Sequence, residues 1–176
     1  NYEFRYDLTQ GFPAMTTKDL FWKGVVAEAI WFLRGESNIK FLVDNGVNIW
    51  NKDAWKFAQR HGYPDDLKKF VFEVKQGNRT HNGFPLGELG RVYGRQWRSF
   101  CGAGEDEYDT IFTDQIANLI KGMQERPLAT DLIVEAWNPS ELTNMALPPC
   151  HYGFQILGRP LTTNERLLDM HLNHTN

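Results

Sequence analysis

Cysteine is nearly missing from this chain of 176 residues, with only Cys101 and Cys150 present and no Cys-x-x-Cys pair. That scarcity excludes a disulfide framework, argues against a structural zinc site and fits a reducing compartment, so a cytoplasmic location is expected. No apolar stretch approaches the roughly 20 residues needed to cross a bilayer, and the first residues carry no secretory leader pattern, so no membrane partner is expected. Runs of like charge are absent as well, and the net charge is -3. Without a basic arm or patch, no nucleic-acid polymer is expected as a partner. Internal repeats, low-complexity tracts and a clear interdomain linker are also lacking.

What is present is enough for a core. With 41% hydrophobic and 14% aromatic residues, residues 1–176 read as a single domain, with 51–89 a helical and loop insertion. The chain opens at Asn1 on an apparent strand over 2–6 and stops within another, so it is expected to be incomplete at both ends.

Periodicity supplies the elements. Thr16 or Thr17 can cap a helix to about residue 34, with Trp22, Val26, Ala29, Ile30 and Leu33 on one stripe and Gly35 ending it. Glu28 lies inside that apolar segment, where a carboxylate needs partners or a raised pKa. A short helix over 38–44 and a strand-like 48–50 come next. Helices over 53–60 and 65–75 follow, the second opened by Pro64-Asp65-Asp66. Residues 77–90, rich in glycine, read as a mobile surface connection. The segment 93–98 interleaves aromatic rings with two guanidinium groups and leads into a loop over 101–109. A helix is expected over 113–124, a buried strand over 132–137, a helical turn over 139–145, and strands over 150–157 and 167–174 joined by a turn region at 158–160. Helices first and strands later give an α+β class. Leu168, Met170 and Leu172 share one face of the last strand, with Asp169, His171 and Asn173 on the other.

The densest chemistry is Pro148-Pro149-Cys150-His151. Two prolines fix φ and remove two backbone donors, so the chain reaches Cys150 in an extended, rigid form. A thiol held this way can be aimed, and because it attacks as thiolate, electropositive neighbours that lower its pKa are expected around it. A free cysteine also serves commonly as a small buried hydrophobe, so the thiol alone does not decide between the two.

Three separated blocks agree in order and rough spacing. The first is Gly11-Phe12-Pro13 and Thr16-Thr17-Lys18 leading to Glu28-Ala29-Ile30-Trp31-Phe32-Leu33-Arg34-Gly35. The second is Leu89-Gly90 with Val92-Tyr93-Gly94-Arg95-Gln96-Trp97-Arg98. The third is Ala136-Trp137-Asn138-Pro139, then Met145-Ala146-Leu147-Pro148-Pro149-Cys150-His151, with Gln155 four residues on. Together they resemble the thymidylate synthase family over nearly the whole chain.

The resemblance implies an α+β fold with a large twisted mixed β-sheet flanked by helices, packing at a homodimer interface. It implies a one-carbon transfer from 5,10-methylenetetrahydrofolate to C5 of a pyrimidine deoxynucleotide, dUMP to dTMP. Cys150 would add to C6, Glu28 would act in proton transfers through water, and Tyr93 would help remove the C5 proton. His151, Asn138 and Gln155 would bind the pyrimidine end, and Trp50 would line the folate pocket. Taken singly, each of these residues is as readily structural. Their spaced combination carries the resemblance.

One subsite departs from the family. Paired arginines that reach a partner subunit's substrate phosphate correspond here to Thr130 and Asp131. A further phosphate arginine expected near 174–176 is also not present. An altered phosphate site is therefore expected, and a dUMP, dCMP or CMP hydroxymethylase of the same superfamily or a non-catalytic, truncated homologue are the competing readings.

Overall fold

The computed structural model of the chain describes residues 5–14, 16–77, 79–106, 109–160 and 166–174. Most of the strand expected over 2–6 and the 175–176 end lie outside the described residues; Arg5 and Tyr6 have no regular structure.

Helix α1 (Trp22–Leu33) frames the site, and its orientation corrects the expected stripe. Gly24, Ala27, Trp31 and Phe32 face inward, while Trp22, Val26, Ile30 and Leu33 are 41% to 49% exposed. Both sets repeat at three- and four-residue spacing, so in a helix apolar all round the period does not choose the buried face. Small residues at 24 and 27, and the Trp31 indole N–H donating to the Asn38 carbonyl at 2.9 Å, decide it. The helix also starts later than expected, with Phe21 in the cap position and no side-chain cap; Thr16 and Thr17 lie in bends before it.

Helices α2 (Lys40–Asp44), α3 (Asn51–Arg60) and α4 (Leu67–Gln76) follow. Residues 48–50 are not strand-like: they lead into α3, and Trp50 occupies its cap position. Asp66 caps α4 by accepting from the Lys69 N–H at 2.9 Å, which satisfies one of the helix's free donors. The hairpin β1 (Thr80–His81) and β2 (Phe84–Pro85) then delivers Leu86 and Leu89 into the core. Residues 86–89 are thus not a mobile surface connection. Ile39 N–H donates to Gly87 O at 2.9 Å and Leu89 N–H to Ser37 O at 3.1 Å, because apolar residues three apart in a glycine-bounded turn gain more from burial than the turn gains from solvent. One hydrophobic cluster joins α1, α2, α3 and α4 with Leu86, Leu89, Val92, Ala136, Met145 and Ala146.

Helix α5 (Tyr93–Arg98) packs against α1. The expected loop over 101–109 is partly strand, since β3 (Phe100–Ala103) pairs antiparallel with β4 (Thr110–Thr113). Helix α6 (Gln115–Glu125), capped by Asp114 on the Ala117 N–H at 2.9 Å, covers a second cluster of Ile116, Leu119, Leu132 and Val134. Beneath it lies an antiparallel sheet, β5 (Ile133–Glu135), β6 (His151–Pro160) and β7 (Arg166–His174), in that spatial order. Residues 158–160 extend β6 rather than forming the turn expected there.

The class is α+β. Among the described residues all pairings are antiparallel, in sheets of two, two and three strands. The larger mixed sheet expected from the resemblance is not among them. Leu168, Met170 and Leu172 lie in register with Gly158, Ile156 and Phe154, on the face that α6 covers further along, yet they are more than half exposed. Among the described residues no helix is long and apolar enough to cross a membrane.

Candidate active site

Cys150 stands just before β6, exposed, at the end of an approach fixed by backbone contacts. Ala146 N–H donates to Leu89 O at 2.9 Å, and Gly90 bridges Met145. Gly90 has φ +76°, and a Cβ there would lie 2.0 Å from the Asn144 carbonyl oxygen, so only glycine permits this close crossing. Pro149 is fully buried, which anchors the residue immediately before the thiol.

Tyr93 opens α5 beneath this point. The Cys150 backbone N–H donates to the Tyr93 hydroxyl at 2.6 Å, and the same hydroxyl hydrogen-bonds the Cys150 side chain. Burial pushes the phenol up to about 12, against a smaller opposing pull from the Cys150 N–H. Tyr93 is therefore a protonated donor at neutral pH. Gly94, next in the helix, would place a Cβ 2.7 Å from Glu36 O, so its lack of a side chain lets α5 sit close to the end of α1.

His151 stacks on Tyr93 with ring centroids 4.2 Å apart and planes at 18°. Burial, then the charge of His174, holds its imidazole below the ordinary value. Its cross-strand partner is His174. Phe32 lies under all of this, with ring centroids 4.7 Å from Tyr93, 5.4 Å from Trp97, 6.2 Å from His151 and 6.4 Å from Trp50.

Trp50 packs 6.1 Å from Tyr93, and its indole N–H donates to Glu28 Oε1 at 2.6 Å. Half-buried Glu28 is pushed upward by desolvation, with the Trp50 bond opposing. Its Oε2 has no hydrogen-bond donor among the described residues. The chain thus gathers an exposed thiol, a protonated phenol, a neutral-leaning imidazole and a desolvated carboxylate around one set of packed aromatic rings. Such a set can present a nucleophile and move protons beside it.

Other expected residues point elsewhere. Asn138 is buried, and its amide donates to Cys101 O at 2.9 Å and Glu141 Oε2 at 3.2 Å. Gln155 pairs across β5 with Ile133 and donates to Thr130 O at 2.6 Å, along the strand from the thiol. Exposed Asp131 is bound by Arg126 Nη1 at 3.0 Å to each oxygen, which holds its carboxyl below the usual range. Sequence reasoning missed Phe32, which it saw only as one of an apolar run, and also Glu141 and His174. A carboxylate three residues after Asn138 was the available signal for Glu141.

Comparison with known proteins identifies the family. The family profile described as Thymidylate synthase matches residues 1–175. A thymidylate synthase of Malacoplasma penetrans is 45% identical over 153 residues, covering 86% of this chain and 49% of the relative. That of Mycoplasma genitalium is 44% identical over 158 residues, covering 88% and 50%. One from Listeria monocytogenes is 37% identical over 179 residues, covering 88% and 54%. The chain spans about half the length of the curated relatives it matches.

Proposed function

This chain belongs to the thymidylate synthase family, and from that premise we propose that it carries the nucleophilic half of a one-carbon transfer to C5 of a pyrimidine deoxynucleotide, dUMP to dTMP. The observation that carries the reading is an exposed Cys150 whose backbone N–H donates to the Tyr93 hydroxyl at 2.6 Å. The Cys150 sulfur bonds to C6 of the ring, the C5–C6 π pair moves to C5, and later expulsion of the sulfur restores the double bond. Dividing the reaction in this way lowers each barrier.

The remaining residues divide the proton work. Tyr93, protonated and buried, donates to the sulfur when it carries charge and orders water at C5. Glu28 holds a proton more readily than an exposed acid because it is desolvated, which suits it to proton transfer through water. His151, kept from charging by burial, accepts or donates one hydrogen bond at the pyrimidine end. Asn138 and Gln155 act on the site indirectly, by fixing the backbone around Cys101 and Thr130.

The residues present fit 5,10-methylenetetrahydrofolate in two respects: a carboxylate oxygen without a donor, on Glu28, and an aromatic wall at Trp50. When bound, that group supplies the methylene carbon and the hydride that completes the methyl group. Trp50 is only 8% exposed, so its larger contribution is to hold Glu28 through the indole N–H.

The partner is a second copy of the chain in a homodimer, with a larger twisted sheet as the shared face, and residues 51–89 are an elaboration of a single domain packed on the same core. We place the protein in the cytoplasm. A second reading, hydroxymethylation, is favoured by the Arg126–Asp131 pair at the family's phosphate-arginine position, which points to a changed nucleotide. Incubation with 5-fluoro-dUMP and methylenetetrahydrofolate, followed by mass spectrometry, tests the first reading, and a parallel incubation with dUMP and the same folate separates it from the second. A ternary adduct on Cys150 is expected; no adduct on Cys150 overturns the proposal and favours an inert homologue, and release of hydroxymethylated product from dUMP without dihydrofolate favours the second reading.

A further inference from the structure

A carboxylate sits in the core beside this site. Glu141 is 9% exposed, and its Oε2 accepts from Gln96 Nε2 at 2.8 Å and from Asn138 Nδ2 at 3.2 Å. Its Oε1 pairs with the Arg91 guanidinium. Fully buried Gln96 also donates to Arg91 O at 2.7 Å. Arg91 and Gln96 flank Tyr93 on one side of the cluster, whereas Asn138 and Glu141 begin the segment that runs to Cys150.

Buried ion pairs are poor sources of net stability, because desolvation offsets most of their attraction. Their retention in a core calls for a geometric role. Here one carboxylate joins the helix that carries Tyr93 to the segment that carries Cys150. We propose that Glu141 is a positioning residue, which fixes the contact between the Tyr93 hydroxyl and Cys150 by tying α5 to the 138–150 segment. This rests on the reading of Cys150 as the nucleophile. The bridges from Leu89 and Gly90 to Ala146 and Met145 hold the same segment independently, so the fold does not depend on Glu141 alone.

Replacing Glu141 by Gln tests the geometry closely. A glutamine has one acceptor oxygen, and its amide meets a donor in either orientation: Arg91 in one, Gln96 and Asn138 in the other. The loss of alignment moves the Tyr93 hydroxyl away from Cys150, so the attacking residue loses a contact that orients it. The experiment is a double-mutant cycle on this chain, with E141Q, Y93F and the pair. The readout is the rate of Cys150 alkylation by iodoacetamide, followed by peptide mass spectrometry with Cys101 as internal reference.

The expected result is alkylation of Cys150 slowed about threefold to tenfold by E141Q in the wild-type background and less than about twofold in the Y93F background. E141D, which keeps the charge one methylene short, is carried through the same cycle and gives a smaller slowing with the same dependence on Tyr93. An equal factor in both backgrounds, an unchanged Cys150 rate, or a matching change at Cys101 overturns the proposal. Should E141Q not melt cooperatively, E141D alone decides, and a wild-type rate in it overturns the proposal. Alkylation uses neither nucleotide nor folate, so failure of the ternary adduct and failure of this coupling are separate results.

Discussion

The Cys150 backbone N–H and the Tyr93 hydroxyl meet at 2.6 Å across the junction of α5 and the 138–150 segment. This bond gives the Cys150 N–H a side-chain acceptor at the start of β6. Tyr93→Phe keeps the ring stack with His151 and removes the acceptor. We expect a loss of about 1–3 kcal/mol, the usual penalty for an unsatisfied donor, measured by urea unfolding, together with slower Cys150 alkylation.

Glu28→Gln separates stability from chemistry. Desolvation raises the Glu28 carboxyl above its ordinary value, so ionising it at neutral pH opposes folding, and this cost disappears as pH falls below about 4.3. The glutamine keeps an acceptor for the Trp50 indole N–H. Its melting temperature at pH 7.5 should equal or exceed that of wild type, the difference shrinking toward pH 4, while nucleotide adduct formation falls at least about tenfold.

His151 gives the opposite dependence. Its folded-state pKa is lowered by burial and by His174, so its contribution to stability is fully present above about pH 6.5 and is lost as pH falls through the depressed value. Urea midpoints of wild type should drop between about pH 7.5 and 5, and His151→Gln should show a flatter profile over that window. Parallel profiles would refute the assignment.

Gly90→Ala should be among the most damaging single changes. It forces a side chain into φ +76° and places Cβ 2.0 Å from Asn144 O. We expect more than about 2 kcal/mol of destabilisation, with altered Cys150 alkylation because the approach through Met145 shifts. A variant that melts like wild type would contradict the described crossing.

Thr130 and Asp131 predict a weak phosphate subsite. Two missing charge-assisted bonds correspond to roughly 3–6 kcal/mol, or about a hundredfold and more in affinity, and Asp131 adds a negative charge. Calorimetry should find deoxyuridine and its 5′-phosphate binding within about tenfold of each other. A strong preference for the phosphate would show that other cations do this work.

The parts of the fold legible in sequence were those decided locally. Asp66 marks its helix because a cap is chemistry between near neighbours, and Pro148-Pro149 announce a rigid approach because proline restricts its own backbone. The inward face of α1 was not legible, since Trp22 and Trp31 compete on equal periodic terms and only contacts from Asn38 and α5 separate them. Burial of Leu86 and Leu89 depends on pairing with residues near 37–39, some fifty positions away. In the candidate site, Cys150, Tyr93 and His151 were readable as residues and are brought together, and Glu28 with Trp50 likewise. The direction of Asn138 was not readable, because its shorter bond goes to Cys101 O, in a hairpin 37 positions away that no spacing connects to it.

Phe32 gives the molecule an economy with a consequence for its evolution. One ring underlies Tyr93, His151, Trp97 and Trp50 together, so the floor of the candidate site is continuous with the hydrophobic interior. Drift at that position cannot adjust specificity while leaving folding alone. Variation that retunes the candidate site is therefore left to exposed positions such as Thr130, Asp131 and His174.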